Sequence, residues 1–102
     1  MGAGAAGAFG PGNCTLLATR QTGSLAGATF YNALTATAQD LDDAHTLTTG
    51  LHLSAVTVPV LLGLAETRKV GGEAFIRAML AGYEACSRIV RAADAGIRGR
   101  GY

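Results

Sequence analysis

A chain of 102 residues, 49% of them hydrophobic, with 15 glycines and no tryptophan, has the length for one domain and one core. It has few polar side chains for its outer faces, so part of its apolar surface is expected to meet another subunit or segment. A net charge of +1 without a basic run argues against a nucleic-acid partner, and no apolar run reaches the ~20 residues that cross a bilayer.

Met1 to Gly12 alternates Gly and Ala around a Gly-Pro-Gly, carries no charge and shows no period. Glycine maximises the entropy lost on ordering, so residues 1–23 are expected to be a flexible lead-in with one short element. Residues 14–20 are open between helix and strand. The lead-in lacks the basic and continuously apolar regions of a secretory signal, and a cytoplasmic location is expected.

Ser24 is placed to cap a helix reaching about Leu41, with Leu25, Ala28, Tyr31, Leu34, Ala38 and Leu41 as its apolar stripe. Thr29, Thr35 and Thr37 lower its intrinsic propensity, so packing must hold it. A second helix is expected in "SAVTVPVLLGLAETRK", apolar on nearly every side and bounded by Gly71-Gly72. Pro59 either falls in its first turn, after a cap at Thr57, or marks a kink. The third helix, "GEAFIRAMLAGYEACSRIVRAADAG", has the clearest period: Ile76, Leu80, Tyr83, Ser87 and Val90 line one face, flanked by Phe75, Met79 and Cys86. Glu73 with Arg77 and Glu84 with Arg88 are acid-before-base pairs, worth ~0.3 kcal/mol each. Gly96 and Gly99 are expected to stop it. The fold class is thus all-α, a helical portion over residues 24–95 with a tail at 96–102.

Between the first two helices, Asp40, Asp42, Asp43, His45 and His52 fall within thirteen positions of a chain otherwise poor in charge. Carboxylates at a helix C-terminus oppose the macrodipole, so the helix gains nothing from them. A polar turn and a working site both fit this cluster. For chemistry, a carboxylate and an imidazole joined across a short loop can take a proton from carbon and return one to a departing group. The loop from Thr46 to Gly50 would bring His52 toward Asp40, and Ser54 is a candidate cap whose helix has free amides for an anion. The spacing fits neither a zinc helix nor a calcium loop, and no metal is expected.

The runs "NALTATAQDLDDAH", "HLSAVTVPVLLGLAE" and "GGEAFIRAMLAGYEACSRI", in that order, resemble part of the helical domain of the MmgE/PrpD family. That family includes 2-methylcitrate dehydratase, cis-aconitate decarboxylase and iminodisuccinate epimerase. The resemblance implies a helical bundle fragment and a lyase or isomerase acting on a small di- or tricarboxylate, with neither metal nor organic cofactor. It assigns catalysis to Asp40 and His52 and substrate binding to Asp43, His45 and Ser54. Ala44 stands where relatives carry a threonine, Thr37 for a histidine, Ala33 for a glycine and Leu53 for a proline. Relatives are several times longer, so the chain is expected to be either a fragment of a longer enzyme or a subunit in a homo-oligomer or hetero-oligomer with a chain completing the fold, and the isolated chain is expected to be inactive. A noncatalytic assembly or regulatory subunit is the alternative.

Overall fold

The computed structural model describes residues 9–46 and 50–101. Five elements follow in chain order: β1 (Cys14–Thr15), β2 (Thr22–Gly23), α1 (Leu25–Thr37), α2 (Leu53–Arg68) and α3 (Gly72–Arg98). The architecture is all-α, with the strands forming only a small antiparallel hairpin in which Cys14 faces Gly23 and Thr15 faces Thr22. The flexible lead-in expected of residues 1–8 and most of the Thr46 to Gly50 loop lie outside the described residues.

Ser24 caps α1 as the sequence indicates, its hydroxyl accepting from the Gly27 amide at 3.1 Å. The helix stops at Thr37, four residues before the expected Leu41. Asp40 adopts a left-handed backbone, φ 54°, and its amide donates to the Thr37 carbonyl at 3.1 Å. Ending there spares the three aspartates the negative end of the macrodipole.

The second helix begins earlier than a Ser54 or Thr57 cap would have it. Leu53 is its first residue, Ser54 its second, and Pro59 stands in its interior. Proline has no amide hydrogen, so the Ala55 carbonyl loses its intrahelical donor. The exit is a left-handed Lys69, φ 51°, with the Val70 amide donating back to the Ala65 carbonyl at 3.3 Å. Gly71 then serves as N-cap of α3 and does not end α2.

The third helix spans 27 residues and runs through Gly96 to Arg98. A third ion pair, Asp94 to Arg98 at 2.8 Å, joins Glu73–Arg77 and Glu84–Arg88 on its outer face and carries it past the glycine. Its apolar face is only partly covered: Phe75, Met79, Tyr83, Cys86 and Val90 are half-buried, while Ile76, Leu80 and Ile89 stay exposed.

α2 packs against α1 on one side and α3 on the other. Its approach to α1 is close at Gly63, where an added Cβ would stand 2.6 Å from Leu25 Cδ1. Cys14, Leu16, Ala28 and Tyr31 form a small buried cluster under the hairpin. Asn32, itself buried, ties the hairpin to α1: its Oδ1 accepts from the Leu17 amide at 2.8 Å and its Nδ2 donates to the Thr15 carbonyl at 2.9 Å. From α2, the Glu66 carboxylate accepts from both the amide and the hydroxyl of Thr15. Burial, followed by the Glu66 charge, pushes the Cys14 thiol above its ordinary pKa. No helix among the described residues is long and apolar enough to cross a membrane.

Candidate active site

The polar cluster gathers where the chain leaves α1 and enters α2. The N-cap position of α2 is His52, yet its side chain makes no capping bond. The cap comes from Asp43, whose Oδ1 accepts from the Ser54 amide at 2.9 Å and from the Ser54 hydroxyl. A carboxylate at this end meets free amides and the positive pole of the helix, which explains a negative charge at that place. The Ser54 hydroxyl, then burial in opposition, then the backbone amides and the His52 charge set the Asp43 carboxyl, with a net shift below its ordinary value.

His52 is held by the same residue. Its Nδ1 lies 2.9 Å from the Asp43 carbonyl oxygen and 3.4 Å from Asp42 Oδ2. The Asp42 side chain is only 6% exposed, and its Oδ2 is buried without a hydrogen-bond partner among the described residues. Tyr83 reaches the cluster from α3: burial, followed by the Asp43 charge, raises its phenol above the ordinary value, against a lowering hydrogen bond with Ser54.

Of the residues singled out in the sequence, Asp43, His52 and Ser54 are therefore in contact. Asp40 is exposed on its left-handed turn, and no hydrogen bond or ion pair joins it to His52 among the described residues. His45 is half-buried, its amide donating to the Leu51 carbonyl at 3.0 Å, which closes the base of the loop. Asp42 and Tyr83 enter the cluster without having been assigned a defined role from sequence. A phenol interrupting an otherwise apolar stripe was the available signal for Tyr83, since a buried Tyr hydroxyl usually finds a polar partner.

His52 also forms part of the wall of an open cleft of about 390 Å³ between α1 and α2, with Phe30, Leu34, Thr37, Leu51 and Val56. No described residue lining it is Lys or Arg. No group of three or more His, Cys, Asp or Glu side chains among the described residues is placed to hold a metal ion.

What this arrangement offers chemically is an oriented imidazole. A carbonyl oxygen can only accept, so in the neutral ring this contact favours the tautomer with the proton on Nδ1 and the lone pair on Nε2. Comparison with known families gives one match: the model of the MmgE/PrpD N-terminal domain covers residues 2–100. No curated protein and no solved structure matches the chain.

Proposed function

The chain belongs to the MmgE/PrpD family, and from that premise we propose that it is a component of a lyase-type enzyme, a dehydratase or decarboxylase. Its substrate is a small di- or tricarboxylate, and its chemistry is carboxylate and histidine acid–base catalysis. The observation that carries this reading is His52 at the cleft wall, with Nδ1 engaged by the Asp43 carbonyl. Removing a proton from a carbon next to a carboxylate needs such a base, the imidazolium so formed returns that proton to the departing group, and Asp40 is the carboxylate of the pair. His45 belongs to the substrate-binding wall. Asp43 and Ser54, expected there as well, already engage each other and act as its framework.

A substrate with two or three negative charges also needs cations, and the described lining of the cleft supplies no Lys or Arg. Those cations come from the remainder of a longer enzyme, from another polypeptide or from a second copy, which completes the site. No metal or organic cofactor enters the proposed chemistry. The test is Asp40→Asn in the complete assembly, where turnover should fall at least ~100-fold with assembly unchanged. Unchanged turnover excludes an essential carboxylate there.

A second reading, a noncatalytic assembly or regulatory subunit, is favoured by one observation. Asp43 and Ser54 are already engaged with each other in starting α2. On that reading, the variants alter stability and leave turnover untouched.

A further inference from the structure

The geometry points to Asp43 as a positioning residue that fixes His52 in a single tautomer, proton on Nδ1 and lone pair on Nε2, by clamping the start of α2 at two points. One point is main chain: the Asp43 carbonyl accepts from His52 Nδ1 at 2.9 Å. The other is side chain: the Asp43 carboxylate takes the Ser54 amide at 2.9 Å and the Ser54 hydroxyl. His52 and Ser54 are two positions apart, so the carboxylate that caps the helix also sets where the carbonyl stands relative to the ring. Asp42 Oδ2 stands 3.4 Å from the same nitrogen, a negative charge beside the ring and not a hydrogen-bond partner. Tyr83 of α3 stands beside this clamp, close enough for the Asp43 charge to act on its phenol.

The consequence is chemical. The carbonyl that accepts from Nδ1, with the Asp42 charge beside it, disfavours the alternative tautomer, which would set a lone pair against both. Every neutral His52 then presents Nε2 as a base, with no fraction lost to the unproductive form. The use of that base in catalysis rests on the function proposed above, whereas the tautomer does not.

The experiment is long-range ¹H–¹⁵N spectroscopy of the imidazoles in the full chain, with His52 assigned by comparison with His45→Gln. Wild type should show the Nδ1–H form of His52 as the major neutral species. Asp43→Ala should lose that excess. Asp43→Asn, which keeps a neutral acceptor for Ser54, should restore most of it, with helix content by circular dichroism as the control. A wild-type His52 that is mainly Nε2–H overturns the proposal even where Asp43→Ala fails to fold, and so does an unchanged tautomer ratio in a folded Asp43→Ala. If the tautomer behaves as stated while His52→Gln leaves turnover of the complete assembly intact, the clamp stands and the catalytic reading falls.

Discussion

Asp43 is the residue on which most of the local order turns, because one carboxylate satisfies the free amide end of α2 from eleven residues upstream. Replacing a helix cap by Ala costs about 1 kcal/mol, which for a domain of this size lowers Tm by roughly 4–8 °C. Asp43→Ala should show that loss in a thermal melt. The pH dependence has a definite sign. The folded carboxyl lies below its unfolded value, so its contribution is full above the ordinary Asp range and drains away as pH falls through the folded value. Asp43→Asn cannot titrate, and its Tm should fall less than wild type between about pH 6 and about pH 3. Equal acid slopes would show that the Asp43 charge contributes nothing to the fold. Asn32 is the second residue of consequence, since it answers one amide and one carbonyl of the hairpin. Asn32→Ala leaves both partners to find water and should cost about 2 kcal/mol, read as a lower denaturant midpoint at unchanged m.

At the scale of elements, the helices were legible and the links between them were not. The three-and-four spacing of apolar residues announced α3, and Ser24 announced the start of α1. The end of α1 escaped because Ala38 and Leu41 continue the stripe, while the cost of stacking Asp40, Asp42 and Asp43 on the negative pole wins over two more apolar positions. Ser54 looked like a cap because serine usually is one, and only the fold reveals that Asp43 comes back to take that role. The hairpin has strands of two residues, too short to carry a period, and its anchors Asn32 and Glu66 lie on helices remote in sequence. The closure of that hairpin against the start of α1 is tight at Gly12, where an added Cβ would lie 2.4 Å from the Gly23 carbonyl oxygen. Backbone cannot yield as a side chain does, so Gly12→Ala should unfold the hairpin and destabilise the chain. Gly63→Ala meets first the flexible end of Leu25 and should cost far less, a ranking that paired denaturant melts would check.

For the whole molecule, the accessible surface is 6920 Å², where a compact protein of its mass exposes about 5,400 Å². The radius of gyration is 15.1 Å, against about 13 Å for a compact chain of this length. The excess of roughly 1,500 Å² on one chain exceeds the ~800 Å² that one partner buries in a standard protein–protein interface. It coincides with exposed Ile76, Leu80 and Ile89 on α3 and with Phe30, Leu34 and Val56 around the cleft. Light scattering at micromolar concentration should therefore report more than a monomer, and a stable monomer would contradict this. The isolated chain should also be inactive, because the described residues lining the cleft give it an imidazole and no Lys or Arg for the proposed polycarboxylate. The most direct test of the central claim is turnover of the complete assembly with His52→Gln against wild type: the account predicts a loss of at least ~100-fold with assembly intact, and an unchanged rate would contradict it.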